Sequence, residues 1–158
     1  MASGGHGHEE LLRRLWLRTL LEVTVAGRTV DLGTVPADRL ANGIAPLELP
    51  IFIVTAHNPD AQRLPDEENR SRNFELRKHL DERGISWHEA VGRAPDGSWA
   101  ESSFAISGLT ETDAIAIGRR FGQLAIFMVT LDQVVVIETN GSFRDIRSRL
   151  TGGEETRE

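Results

Sequence analysis

The first side chains that could do chemistry lie around the end of an apolar segment, residues 51–56 (IFIVTA). Asn58 follows this segment, and Asn69, Arg70 and Asn73 come shortly after it. Carboxamides both donate and accept hydrogen bonds, and a guanidinium can hold a carboxylate or phosphate with two parallel hydrogen bonds. One interpretation of the group, with Arg70 or Arg72 as the cation, is a binding site for a small polar or anionic ligand. The alternative is a buried network that satisfies backbone groups where the apolar segment ends.

A second group centres on a glutamate in a predicted strand. Alternation along a strand places Trp99, Glu101 and Ser103 on one face. A half-buried glutamate has a raised pKa and can act as a general base, so Glu101 is the candidate catalytic residue. The alternative is a solvent-facing strand in which Glu101 pairs with an arginine.

The third group is Phe121-Gly122-Gln123, at the end of a predicted helix. Gly122 is typical of the left-handed position that ends a helix, and Gln123 leads directly into a strand. A helix stop explains most of this pattern, and Gln123 is a further candidate for the polar network.

Other chemistries find little support in the sequence. The chain has no cysteine, which excludes thiolate metal sites, disulfides and a cysteine nucleophile. A serine or threonine could pair with His57 or His88, but no G-x-S-x-G elbow is present. Histidine spacings typical of zinc sites, phosphate-binding loops and dinucleotide-binding glycine patterns are also absent. We therefore predict no metal and no cofactor.

Local patterns predict the elements that must position these groups. The segment 51–56 is apolar on both faces, as in a central strand, and helical spacing over residues 66–83 ends at Gly84. A hairpin is expected over 87–107, a helix capped by Thr110, and a strand pair over 124–139. Phe143, Ile146 and Leu150 would form a short final helix.

The N-terminal part is expected to add a short helix over EELLRRLW and a hairpin turning at Gly27. Residues 1–8 and 151–158 are predicted to be disordered tails around one domain, 9–150. The element order predicts an α+β fold: a largely antiparallel sheet with two helices on one face. Its core would be ferredoxin-like (βαββαβ), with the N-terminal hairpin and an extra C-terminal strand added.

Length and charge limit the possible functions. The chain has 158 residues and a formal net charge of -6, which fits one domain and argues against nucleic-acid and anionic-membrane partners. The helix over 66–83 carries five basic and six acidic residues, so it is not a basic surface. No signal peptide and no apolar run of membrane-spanning length is found, so a cytoplasmic location is expected.

Four motifs in order resemble a known family. They are Thr55-Ala56-x-Asn58-Pro59, Asn69-Arg70-x-x-Asn73, Trp99-x-Glu101-x-Ser103-Phe104 and Phe121-Gly122-Gln123. Together they resemble domain of unknown function 3293, a small bacterial family, over roughly residues 50–130. His57 departs from the pattern, where an aromatic residue such as tryptophan is expected. The resemblance implies no particular reaction.

The main prediction is a domain that binds a small polar or anionic ligand in a cleft between the helix over 66–83 and the sheet. Amides would orient the ligand, Arg70 would neutralise its charge, and Glu101 would be the acid–base group. One alternative is a non-catalytic protein-interaction module, and another is a hydrolase that uses Glu101 or His57. The ligand-binding residues predicted are Asn58, Asn69, Arg70, Asn73, Ser103 and Gln123.

Overall fold

The computed structural model describes residues 2–42, 47–141 and 144–149. Within these residues the helices are α1 (Ala2–Arg18), α2 (Ala37–Asn42), α3 (Asp66–Glu82) and α4 (Glu111–Arg120). The strands are β1 (Leu20–Val25), β2 (Arg28–Asp31), β3 (Ile51–Val54), β4 (Trp87–Arg93), β5 (Ala100–Ile106), β6 (Ala125–Val129), β7 (Gln133–Glu138) and β8 (Arg144–Ser148). A single 3₁₀ turn, Pro59–Ala61, lies between β3 and α3.

The eight strands form one sheet in the order β2-β1-β4-β5-β3-β6-β7-β8. Every neighbouring pair is antiparallel, from the β1–β2 hairpin to the β7–β8 pair. The predicted α+β class and the largely antiparallel sheet are confirmed. β3 lies near the middle, with β5 on one side and β6 on the other, so its backbone is paired along both edges.

Side chains from the two faces of the sheet pack into two separate hydrophobic clusters. Alternation along β3 sends Ile51 and Ile53 into one cluster and Phe52 and Val54 into the other, which explains why this strand is apolar throughout. The Phe52 cluster also contains Leu76 and Leu80 of α3 and Ala114 and Ile117 of α4. The face that carries Ile53 is called the inner face below, because the sheet curls around it.

The side chain of Arg149 connects the two edges of the curled sheet. Arg149, which follows edge strand β8, is only 3% exposed. Its guanidinium donates to the carbonyl oxygens of Leu32 at 2.8 Å and Val35 at 2.6 Å, just after the opposite edge strand β2. Its Nε donates to Leu131 O at 2.9 Å. Three backbone acceptors therefore hold one buried cation, and the carbonyls of Leu32 and Val35 connect it to the opposite edge of the sheet.

Two predicted terminal elements differ from the structure. The segment containing Ile146 is strand β8 rather than a helix, while Phe143 and Leu150 lie outside the described residues. Pairing with β7 satisfies the backbone of this segment as a strand, and Ile146 is exposed, so the apolar spacing used for the prediction does not reflect a buried helical face. At the other end, α1 begins at Ala2 and includes most of the predicted tail. The predicted tail over 151–158 lies outside the described residues.

Candidate functional site

A cavity of about 340 Å³ lies between α1 and the inner face of the sheet. One wall consists of α1, and the opposite side consists of β3, β5 and β6 together with the loop that leads into α3. The apolar part of the lining includes Leu12, Leu15, Trp16, Leu21, Ile53, Leu64, Trp99, Leu124 and Phe127. A pocket of this volume falls at the lower end of the range typical of small-molecule sites.

Polar side chains form one end of this cavity, which we call the polar floor: Thr55, Glu101, Ser103 and Gln123. Strand alternation explains why they are together. Glu101 and Ser103 share a face of β5 with Ala105, a member of the inner-face cluster. Gly92 of β4 lies directly opposite Glu101 and also lines the cavity.

Glu101 is the ionisable group of the polar floor. Its Oε2 accepts a hydrogen bond from Nδ2 of Asn58 at 2.8 Å. Among the described residues its Oε1 has no hydrogen-bond partner, and no arginine or lysine forms an ion pair with it. Burial raises the pKa of the Glu101 carboxyl, and the Asn58 hydrogen bond opposes this only in part. Glu101 is therefore a partly buried carboxyl that lines the cavity and keeps one oxygen free of hydrogen bonds to the described residues.

The loop between β3 and α3 places Asn58 beside Glu101 in an uncommon conformation. Asn58, Asp60 and Ala61 all have positive φ angles, of 48°, 56° and 60°. Such angles are uncommon for residues other than glycine, and surrounding contacts must hold them. Asn69 holds this loop from α3: its Oδ1 accepts from the Asn58 backbone N–H at 2.8 Å, and its Nδ2 donates to Asn58 Oδ1 at 2.9 Å.

Two further side chains of α3 bind the backbone where β3 ends. Oδ1 of Asn73 accepts from the Ala56 N–H at 2.8 Å, and Nδ2 donates to Ser102 O at 2.8 Å. Arg72 donates through Nε to Ala56 O at 2.7 Å and through Nη2 to Phe121 O at 2.5 Å. The predicted network that satisfies backbone groups at this strand end is therefore present.

The Phe121-Gly122-Gln123 motif closes the same network. Gly122 has φ +75°, and a Cβ added to it would lie 2.8 Å from Cβ of Pro59, so a larger residue does not fit. Its carbonyl accepts from the Asp60 N–H at 2.8 Å. Gln123 donates through Nε2 to His57 O at 2.9 Å. The motif thus fixes the loop that carries Asn58.

The structure brings together most of the predicted site residues. Asn58, Asn69, Glu101, Ser103 and Gln123 all line the cavity. Two predicted residues do not line it. Asn73 is buried against backbone groups, and Arg70 is exposed on α3.

The position of the cavity also differs from the predicted cleft. The sequence predicts a cleft between the helix over 66–83 and the sheet, but that helix packs its Leu76 and Leu80 against the other face. Only the first turn of α3, at Asp66 and Asn69, reaches the cavity. The helix that covers the cavity is α1.

The sequence predicted neither that α1 covers the cavity nor that Arg72, rather than Arg70, binds the backbone at the end of β3. Leu12, Leu15 and Trp16 have visible helical spacing, but nothing local indicates what they cover. In the structure, Arg13 holds α1 through an ion pair with the buried Glu138 of β7 at 2.6 Å. Arg147 of β8 donates to the carbonyl oxygens of Leu17 at 3.1 Å and Thr19 at 2.6 Å.

The hydroxyl groups of Thr55 and Ser103 are hydrogen-bonded to backbone carbonyls and not to a histidine base, within the described residues. Thr55 donates its hydroxyl to Ser102 O at 2.7 Å, and Ser103 donates to Glu101 O at 3.2 Å. Among the described residues no hydrogen bond joins either hydroxyl to a histidine ring. His57 lines the cavity, and burial lowers the pKa of its imidazole, with Asp66 acting in the opposite direction.

Two kinds of feature are absent from the described part of the chain. No group of three or more histidine, aspartate or glutamate side chains there could hold a metal ion. None of its helices has the length and apolar character needed to cross a membrane.

Fold and site together define an α+β domain with a cavity of small-ligand size beneath its N-terminal helix. Residues 54–126 match the family model described as Protein of unknown function (DUF3293), which confirms the resemblance. The matched segment runs from the end of β3 to the start of β6. No curated protein and no solved structure matches the chain.

Proposed function

We propose that this domain binds a small polar molecule in the cavity beneath α1, with Glu101 as its principal polar contact. The observation that supports this most strongly is the Glu101 carboxylate, which lines the cavity and has one oxygen without a hydrogen-bond partner among the described residues. This oxygen is open to the cavity, while burial of the rest of the carboxyl raises its pKa and so disfavours its charged form. A ligand that donates to this oxygen would stabilise the charged form.

The anchored loop supports the same proposal. Three residues with positive φ are held by side chains from α3 and by the turn at Gly122, so Asn58 is positioned before any ligand arrives. A site whose contacts are positioned in advance loses less conformational entropy on binding. If the bound molecule also reacts, Glu101 would be the proton donor or acceptor.

The first test is a thermal-shift screen of the full chain against amino acids, amines, carboxylates, sugar phosphates and nucleotides. A ligand at 100 times its dissociation constant should stabilise the protein by about 2.7 kcal/mol. The hit is then repeated with Ala125→Ile, which adds volume to a small residue of the cavity lining without removing a polar group. The matched control is Ala116→Ile, on the exposed side of α4.

A hit that is lost in Ala125→Ile and kept in Ala116→Ile would support binding in the cavity. A hit that Ala125→Ile leaves unchanged would contradict it, as would the absence of any hit across the panel. In that case the alternative, a non-catalytic interaction module, becomes the leading hypothesis.

We also propose a finer description of the fold. The strands β4, β5, β3 and β6 are consecutive in the sheet and mutually antiparallel, and α3 and α4 contribute to one hydrophobic cluster. These observations support a ferredoxin-like core with two helices on one face. A bacterial source, a cytoplasmic location and the absence of a nucleic-acid partner stay predictions from the sequence.

A further inference from the structure

The hydrogen-bonding character of the polar floor restricts the ligand. The hydroxyl hydrogens of Thr55 and Ser103 are donated to backbone carbonyls. Gln123 directs Nε2 to the carbonyls of His57 and Phe121, at 2.9 Å and 3.4 Å. Its Oε1 has no hydrogen-bond partner among the described residues. What this floor offers a ligand is therefore mainly acceptor oxygens.

Glu101 adds the strongest acceptor to the same floor. Its Oε1 is without a partner in the described part of the chain, and Asn58 is a neutral donor to Oε2. A carboxylate held in this way attracts a positively charged donor, since charge-assisted hydrogen bonds are roughly twice as strong as neutral ones.

The charges around the cavity also favour a cation over an anion. The ionisable side chains among the described lining residues are Glu101, Asp66, Arg63 and His57. Burial lowers the pKa of the His57 imidazole, which favours its neutral form. Arg63 is exposed and lies on the loop outside the polar floor. Asp66 is exposed as well, so these two opposite charges offset each other and the Glu101 carboxylate is the charge that remains within the lining.

The arginines of α3 do not reverse this balance. Arg70 is exposed and does not line the cavity. Arg72 donates to the carbonyl oxygens of Ala56 and Phe121 and is likewise outside the lining.

The remaining walls suit an apolar or aromatic body. From α1 they include Leu12, Leu15 and Trp16, and Trp99 lies just before β5. Apolar groups gain free energy on burial, and tryptophan rings attract cations through their faces. We infer, on the basis of the ligand-binding function proposed above, that the cavity takes a protonated organic amine, with the ammonium group against Glu101 and an apolar body beneath α1.

The test uses three probes with one body: phenethylamine, 2-phenylethanol and phenylacetate. Affinities of the full chain are measured by calorimetry at pH 7, with Glu101→Gln as the test variant. The matched control is Glu89→Gln, which removes an equal charge from an exposed position of β4 outside the cavity. We expect the amine to bind most tightly, and Glu101→Gln to weaken it tenfold or more while leaving 2-phenylethanol within about twofold. Glu89→Gln should change neither affinity by more than about twofold.

Two results would overturn the inference and leave the proposed function standing. In one, phenylacetate or 2-phenylethanol binds at least as tightly as the amine, and Ala125→Ile abolishes that binding. In the other, the amine binds equally well to wild type and Glu101→Gln but is lost in Ala125→Ile. If none of the three probes binds and the wider screen also finds no cavity ligand, both the inference and the proposed function fail.

Discussion

Replacing Arg72 by alanine should destabilise the protein far more than replacing Arg70, although both arginines lie on α3. Arg72 donates to Ala56 O at 2.7 Å and to Phe121 O at 2.5 Å, which ties the end of β3 to the end of α4. Arg70 is exposed, with no hydrogen bond to another described residue. The two substitutions remove the same charge from the same helix, so the difference between their free energies of unfolding measures the contribution of the two Arg72 hydrogen bonds.

The expected magnitude follows from those two hydrogen bonds. A hydrogen bond involving a charged group contributes about 1.5–3 kcal/mol when buried. Arg72 is only half-buried, and water can replace part of each bond, so we expect a loss of about 2 kcal/mol in the free energy of unfolding. Arg70→Ala should stay within about 0.5 kcal/mol of wild type.

Urea denaturation followed by tryptophan fluorescence measures both variants. With a slope of about 2 kcal/mol/M, Arg72→Ala should lower the unfolding midpoint by about 1 M. Arg72→Lys can satisfy one carbonyl but not both, and should fall between wild type and Arg72→Ala. Equal midpoints for Arg70→Ala and Arg72→Ala would refute the reasoning.

Three further predictions concern other parts of the structure. Glu101→Gln should be more stable than wild type at pH 8. Burial raises the pKa of Glu101, so the wild-type protein loses stability as the pH rises above about 4. Glutamine does not titrate, so the variant does not have this loss. A stability difference in urea that is the same at pH 4 and pH 8 would contradict this. Gly122→Ala should lower the free energy of unfolding by about 1–3 kcal/mol. The loss should exceed that of Gly97→Ala, because both glycines have positive φ but only Gly122 lies close to Pro59. Thermal unfolding compares the two variants, and equal losses would argue against that contact. Arg149→Met should lower the free energy of unfolding by about 2–4 kcal/mol, because three backbone carbonyls lose a charged donor. Chemical denaturation measures this loss. A loss below about 1 kcal/mol would show that the curl of the sheet does not depend on Arg149.

The local patterns of the sequence were sufficient to predict most elements correctly. The apolar segment at 51–56 became the central strand β3, and Thr110 accepts from the Asp113 N–H at 3.1 Å as the cap of α4. Both predictions were possible because residue types close together in the chain, an apolar run and a capping threonine, indicate these elements. The segment around Ile146 was predicted wrongly because its pairing with β7 is a tertiary contact that one apolar residue cannot indicate.

The candidate site was predicted in part, for a similar reason. Alternation places Glu101 and Ser103 on one strand face, and helical spacing places Asn69 and Asn73 on the buried side of α3. Arg70 and Arg72 flank that buried side at equal distance in the sequence. Only the position of α3 against β3 decides that Arg72 faces the end of the strand and Arg70 faces solvent.

The sequence by itself determined most of the helices and strands, the apolar face of each, and the asparagines and the glutamate that gather at the end of β3. Tertiary structure alone decided that the sheet curls, that α1 covers its inner face and that a cavity remains between them. The physical reason is the range of the contacts. The periodicity of apolar residues indicates which face of an element is buried, and it depends on residues close in the chain. The contacts of Arg13 with Glu138 and of Arg149 with Leu32 join residues more than a hundred positions apart, and no local pattern indicates them.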